Sequence, residues 1–340
     1  MIKNLEVKNF KSIKYLKLDC KKVNILIGKP NTGKSNILES IGIFSFPFFG
    51  RLGDFVRFEN MINLFYDHDL GNKVEVTSGG ETSLRVKEVR PPDFEFTAFN
   101  VYSEIKFENG KFIGRGGDKE EKVFSFQFDF NFNGLGTSGY SGISSFKFYR
   151  FALIDKFPRQ EAFLLPPKGE NLLQILLTNK ALKKMVADIF SEFGLRIVLK
   201  PEEGKIEVQK EVEDVIISHP YSLASDTLQR IVFHLAAIES NKDSIIIFEE
   251  PEIHSFPFYT KFLAERISLD NTNQYFISTH NPYFLLSVLE KTAKNDIGIF
   301  IVYFKDYQTK ARPILEEEMP EILDLDASIF FNLDEFLEKE

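Results

Sequence analysis

Short, unbroken apolar runs recur along the chain: Val23 to Ile27, "SIIIF" at 244–248, "QYFIS" at 274–278 and "IGIFIVYF" at 297–304. Runs of this length, bounded by polar residues, predict strands buried on both faces of a parallel sheet. Between about residues 50 and 165 the pattern is mostly that of strands, with turn signals at "TSGGE" (77–81) and "GRGGDKEEK" (114–122). In "VFSFQFDFNFNG" the phenylalanines at 124, 126, 128, 130 and 132 alternate, which puts five rings on one strand face. Alternation of this kind ordinarily marks a face packed on a core, and the competing reading is an aromatic platform for stacked bases. "NGLGTSGYSGISS" follows as a Gly/Ser-rich loop without periodicity. The period then turns helical, with Leu172, Leu173, Leu176, Leu182, Met185, Val186 and Ile189 as an apolar stripe and no sustained heptads that would build coiled-coil arms. Two hairpin-like strands are expected around 195 to 217. After them Ser225 and Asp226 read as the N-cap and first turn of a helix that buries Leu228, Ile231, Val232, Leu235 and Ile238.

Candidate chemistry gathers where the apolar runs end. "SIIIFEEPEIHSF" (244–256) runs from its strand straight into Glu249, Glu250, Glu252 and His254. Carboxylates at the C-terminal end of a parallel strand lie at the edge where α/β sheets bind ligands, and they repel unless a metal ion or a metal-bound phosphate sits between them. The first apolar run supplies the counterpart. Val23 to Ile27 leads into Gly28, Lys29, Pro30, Asn31, Thr32, Gly33, Lys34 and Ser35, and a helical pattern continues through Asn36, Ile37, Leu38 and Ile41. This is GxxxxGKS between a strand and a helix. Its backbone N–H groups wrap a phosphate, Lys34 reaches the terminal phosphates, Ser35 ligates Mg²⁺, and the helix N-terminus adds its dipole. The object facing Glu249 and Glu250 is therefore expected to be Mg²⁺ on a nucleotide. "QYFISTHNP" ends in Thr279 and His280, so this histidine too is expected at a strand's C-terminal edge.

Composition narrows the picture further. A hydrophobic fraction of 43% over 340 residues supports a sizeable core. The net charge of −8 argues against a generally basic nucleic-acid-binding surface and leaves room only for local patches such as "KNFKSIKYLK". Cys20 is the single cysteine, which excludes an internal disulfide and a CxxC zinc site and suits a reducing, cytoplasmic setting. The longest apolar stretches are too short to span a bilayer, so no membrane partner is expected.

The order of phosphate loop, strand-rich insert, Ser-capped helix, strand-Glu-Glu-Pro and strand-Thr-His resembles the ABC-type ATPases of the RecF, SMC and overcoming-lysogenization-defect group. It looks closest to the compact AAA-type members that keep the head and lack the arms. The resemblance runs from "LEVKNFKSI" to about residue 304 and rests on "GKPNTGKS", "SIIIFEEPEIH" and "FISTHNP" in combination. It implies an α/β P-loop NTPase fold, an ABC-type ATPase head with a strand-rich insert and a helical lobe. It also implies ATP and Mg²⁺ as cofactors and an ATP-dependent homodimer. By the resemblance Glu249 helps hold Mg²⁺ through water, Glu250 polarises the attacking water, His280 senses the γ-phosphate, and Ser225 is the signature serine offered to a second subunit. Relatives act in DNA repair, chromosome maintenance or antiviral defence, which makes DNA or a separately encoded effector the further partner. Two departures stand out: Glu249 occupies a position usually held by Asp, and "LASDTLQR" lacks the glycine that normally follows the signature serine.

Chemistry at the residues supports the same assignment, because a carboxylate beside a metal-bound phosphate orients water for in-line attack. Glu250 is favoured over Glu249 for this role. Glu252 reads equally as a solvated loop acid or a functional one, and His254 as a surface histidine or an interface residue. Gln160 is a weak candidate for the glutamine such heads use, and is not assigned to the metal site. A GTPase reading fails because "TNKAL" (178–182) lacks the base-reading aspartate, and a small-molecule kinase leaves the Ser-capped helix unexplained. Nothing suggests the membrane subunits that a transporter motor needs. A slowly hydrolysing, nucleotide-gated scaffold that regulates a separate effector such as a nuclease is the alternative, and no nuclease activity is expected of this chain itself. The expected organisation is a single head, with lobe I at about 1–165 and 243–305, lobe II at about 166–242, and an acidic tail at 306–340 whose terminal helix is packed by Ile329, Phe330 and Phe336.

Overall fold

The computed structural model describes residues 1–80, 94–96, 101–118, 122–129, 131, 134–139 and 142–338. A hairpin of β1 (Ile2–Phe10) and β2 (Ile13–Asp19) leads to β3 (Val23–Ile27), the phosphate loop and α1 (Lys34–Gly42). Two single-turn helices follow, α2 (Phe46–Phe49) and α3 (Leu52–Phe55), and two 3₁₀ turns over 61–68 bring the chain to the strands. These are β4 (Val74–Gly80), β5 (Phe94–Phe96), β6 (Val101–Glu108), β7 (Lys111–Asp118), β8 (Lys122–Phe128), β9 (Gly134–Gly139), β10 (Gly142–Ser144) and β11 (Phe146–Tyr149). The helical segment comprises α4 (Leu172–Thr178) and α5 (Lys180–Ser191), and β12 (Arg196–Lys200), β13 (Lys205–Val212) and β14 (Val215–Pro220) form a small antiparallel sheet. The return runs through α6 (Asp226–Ser240), β15 (Ile245–Glu249), α7 (Pro257–Leu269), β16 (Gln274–Ser278), α8 (Pro282–Lys291), β17 (Ile297–Lys305) and β18 (Gln308–Pro313), and closes with α9 (Met319–Leu325) and α10 (Leu333–Leu337).

The central sheet has the order β11-β15-β16-β3-β17-β18, parallel except for β18. β3, β15 and β16 are buried on both faces, as their apolar runs require, whereas the edge strand β18 is only partly covered. Ile246 and Phe248 of β15 point into one core with the helices of the second half, while Ile245 and Ile247 point into another. That second core holds Ile37, Leu38 and Ile41 of α1, which lies between the central sheet and the antiparallel sheet β2-β1-β4-β6-β7-β8-β9. β16 therefore sits between the strand that carries the phosphate loop and the strand that carries Glu249. All three release their chemistry-bearing residues at the same edge.

β4 ends at Gly80 and β7 at Asp118, inside "TSGGE" and "GRGGDKEEK", antiparallel β8 begins at Lys122, and the pairings shift register opposite Gly79/Gly80 and at Gly116/Gly117; positions 81 and 119–121 lie outside the described residues. Gly114 has a structural reason to be there, since the Phe126 ring lies 1.9 Å from where its Cβ would stand. Several expectations from the sequence need correction. The Gly/Ser-rich stretch after residue 133 pairs as β9 against β8 rather than forming a loop. The helical stripe at 172–189 is broken at Asn179, whose side chain caps α5 through the Leu182 N–H at 3.0 Å. Three strands rather than two occupy 196–220. The acidic tail does not begin at 306, because residues 308–313 complete the central sheet against β17. Beyond it Met319, Ile322, Ile329, Leu333 and Phe336 are buried, and Phe330 is packed against the same core.

Of the five alternating rings, Phe126 and Phe128 are buried, and Phe126 meets Phe46 edge-on at 5.0 Å. The Phe124 side chain, Phe130 and Phe132 lie outside the described residues. The two described rings are core rather than platform. Phe126→Ala is expected to lower the unfolding free energy by about 3–5 kcal/mol, read from urea denaturation.

Candidate functional site

Three turns at the C-terminal edge of the central sheet converge on a cavity of about 780 Å³. The first is the phosphate loop. Gly28 leaves β3 at φ +150, and an added Cβ would lie 2.1 Å from the Val302 carbonyl oxygen. Gly33 adopts φ +99 at the N-cap of α1, where a Cβ would meet Thr309 Oγ1 at 2.0 Å. Both positions exclude a side chain by conformation and by space. Thr309 closes the loop from β18, donating to the Thr32 carbonyl at 2.9 Å and sharing a hydrogen bond with Ser12 at 2.7 Å. Asn36 donates to Ser12 Oγ at 2.7 Å. The Lys34 ammonium donates to the Gly28 and Lys29 carbonyls at 2.9 and 2.8 Å. Burial lowers its pKa to about 8, although the Glu250 carboxylate pulls the other way.

The second turn follows β15. Glu250 sits at φ +47 and donates its N–H to the Ser278 carbonyl at 3.0 Å, so its side chain leaves the line of the strand. The third follows β16, where His280 Nε2 lies 3.3 Å from Glu250 Oε1. Burial and the Lys34 charge hold the His280 pKa below its ordinary value, with Glu250 opposing. Pro30, Asn31, Thr32, Gly33, Lys34, Ser35, Asn36, Glu249, Glu250 and His280 thus line one cavity. Gly28 and Lys29 face the other side of the loop, toward a smaller cavity bounded by Leu333, Asp334 and Leu337 of α10, and Lys29 pairs with Asp334 at 2.6 Å. Ser225 is not brought to this chain's own cavity. It caps α6, accepting the Leu228 N–H at 3.3 Å.

Sequence reasoning missed the cations. Glu39 of α1, with no exposed surface, pairs with Lys11, with Arg57 Nε at 2.6 Å and with Arg150 Nη2 at 3.0 Å. Arg57 reaches on to Glu249 at 3.0 Å, and Arg150 approaches it at 3.8 Å. Arg57 lies in an irregular turn and Arg150 just past an edge strand, and neither carries a local pattern that would single it out. Lys11 had been grouped with an exposed basic segment, but it turns inward to Glu39, and burial lowers its pKa despite that partner. Arg230 and His234 of α6 also face the cavity. His234 Nδ1 donates to the Arg230 carbonyl at 2.8 Å, and burial pushes its pKa down to about 3, which keeps it neutral.

Glu252 is no solvated loop acid: it is 5% exposed and accepts hydrogen bonds from the Thr279 hydroxyl and, at 3.4 Å, from the His280 N–H. Gln160 is exposed and outside the cavity. His254 is at the surface and pairs with Asp226 at 2.7 Å, alongside Arg230 at 2.7 Å. Burial works against ionisation of Asp226, but these two partners outweigh it and hold its pKa below the usual range. Among the described residues no cluster of three His, Cys, Asp or Glu side chains forms a metal cage, and no helix is long and apolar enough to cross a membrane.

A glycine-bent phosphate loop with Lys34 and Ser35, opposed by acids from the strand two positions away, has the arrangement of a P-loop nucleotide site. Residues 1–193 match the AAA ATPase domain family, and the chain belongs to it. Among solved structures, the SMC head bound to the C-terminal winged-helix domain of ScpA shares the fold, with a TM-score of 0.56 and 15% identity over 94% of this chain and 99% of that one. The SMC head domain from Thermotoga maritima aligns at a TM-score of 0.42 and 15% identity, over 92% of this chain and 99% of that one. No curated protein matches. The fold match covers the strand-rich insert and the helical segment as well as the nucleotide site.

Because Glu39 offsets the half-buried Lys11 and Arg150 and the exposed Arg57, Glu39→Gln leaves Lys11 without its carboxylate while the two arginines keep only Glu249. The variant is expected to lose about 3–5 kcal/mol of stability in chemical denaturation, well beyond the effect of an exposed pair.

Proposed function

We propose that this chain binds ATP with Mg²⁺ in the cavity and hydrolyses it, and that bound ATP joins two heads. The observation that carries the reading is the convergence of Lys34, Ser35, Glu249, Glu250 and His280 on a single cavity from three adjacent strand ends. Backbone N–H groups of the loop and the α1 N-terminus receive the phosphates, and the Lys34 ammonium exchanges its two carbonyl partners for phosphate oxygens. Ser35 and Glu249 offer oxygen donors, which suits Mg²⁺, an ion that keeps several waters and needs few protein ligands. When bound, it would neutralise charge on the phosphate oxygens. Glu250 orients the attacking water, and His280, held in contact with Glu250, meets the γ-phosphate. A neighbouring cavity of about 1020 Å³ shares Ser12 and Arg57 with the first and adds Lys11, Phe58, Tyr66 and Tyr307, a lining suited to the base and ribose.

Lys34→Ala is expected to abolish nucleotide binding in calorimetry. Glu250→Gln should retain binding and lose turnover by about 10²-fold or more, and wild-type turnover in that variant would remove Glu250 from the role.

The dimer reading rests on α6. Its N-terminus carries a hydroxyl whose proton is free to donate and a positive dipole end, and Asp226 is already neutralised within its own chain by Arg230 and His254. Those features suit the γ-phosphate side that the phosphate loop leaves open in a second copy. The SMC head of similar fold was solved with a partner protein, and a separately encoded effector is the partner we extend to this chain. By mass in solution, Glu250→Gln should be dimeric with ATP and monomeric without it, and adding Ser225→Arg should keep it monomeric. A dimer in all three conditions would place the interface elsewhere.

A further inference from the structure

We propose that Glu252 is a positioning residue that sets His280 against Glu250. The inference rests on the reading of those two residues given above. Glu252 follows Glu250 by two positions, yet its side chain turns inward and is 5% exposed. One carboxyl oxygen accepts from the Thr279 hydroxyl and from the His280 N–H at 3.4 Å. The other, Oε2, is buried with no hydrogen-bond partner among the described residues. Thr279 Oγ1 in turn accepts the Asn281 N–H at 3.0 Å, and the Asn281 side chain caps α8 by accepting the Phe284 N–H at 3.2 Å. The turn after β15 and the turn after β16 are therefore joined by a single carboxyl group. From these two turns Glu250 and His280 reach each other at 3.3 Å.

An acid used only to fill space would be replaced at no loss by an apolar residue, and an orphaned buried oxygen is expensive to keep. Its placement is explained if the carboxyl holds two N–H and O–H donors that fix the histidine backbone. Burial raises the Glu252 pKa to about 7, its hydrogen bonds from Thr279 and His280 lower it, and the Glu250 charge raises it. A neutral acid can hold the turn without adding a second negative charge beside the phosphates. The charged groups facing His280 are Glu250 and Lys34, and the Phe330 ring packs against it at 6.4 Å.

The test uses the full chain, with ring NMR of its five histidines and His280 identified by its loss in His280→Gln. Glu252→Ala should move the His280 titration midpoint away from the wild-type value and lower kcat by about 10²-fold with KM little changed. Glu252→Gln, which keeps an acceptor oxygen, should restore both. Thr279→Val removes one of the two donors by a milder change and should shift His280 in the same direction even if Glu252→Ala does not fold. The proposal is overturned if the His280 midpoint is unchanged in Glu252→Ala and in Thr279→Val, or if a folded Glu252→Gln is as defective as the alanine variant. Absence of ATP turnover in the wild-type protein would defeat the functional reading alone, because the titration arm decides the positioning role without it.

Discussion

Glu39 has no contact with solvent, and the site is organised around its charge. It lies on α1 one turn beyond Ser35, and it holds Lys11 from the β1–β2 turn, Arg57 from the segment leading into the insert, and Arg150 from the end of β11. A lone carboxylate in that position would be prohibitively costly. With three cations it becomes the point where the phosphate helix, the N-terminal hairpin, the insert and the edge of the central sheet are fastened together. Two of those cations then continue to Glu249. The acid next to the catalytic candidate is thus engaged by arginines, and a metal-bound nucleotide entering the cavity would compete with them for it.

The cavity has a graded charge. Lys34 sits among carbonyls with a lowered pKa, Glu250 faces a histidine whose pKa is also lowered, and the buried Glu252 is pushed toward neutrality. Burial disfavours the charged forms of Lys34, His280 and Glu252, which is the condition under which an arriving phosphate changes the local balance most. The backbone is prepared for the same event. Gly28 and Gly33 occupy conformations with no room for a side chain, and Thr309 of β18 holds the loop through the Thr32 carbonyl.

The helical half contributes through α6, which lies across the cavity with Arg230 and His234 facing inward and Ser225 facing away. This arrangement divides the helix into a part that belongs to its own nucleotide site and an end that is directed elsewhere. The Asp226–His254 pair and the Thr227 hydroxyl, which donates to the His254 carbonyl at 2.6 Å, join that end to the turn following Glu250.

Much of this was legible in the chain itself. The four apolar runs became β3, β15, β16 and β17 because a strand buried on both faces must be apolar throughout. The glycine spacing and the residues terminating each run identified the phosphate loop, Glu249, Glu250 and His280, since their place depends on strand ends and parallel pairing alone. Ser225 was recognised as a cap from three neighbouring residues. Strand pairing overrode composition at 134–139, where a Gly-rich stretch without periodicity became β9 against β8. The roles of Glu39, Arg57, Arg150 and Glu252 were decided only by the tertiary structure. A buried charge is stable only beside partners that come from other segments, so no window of sequence around any one of them contains the reason it is there.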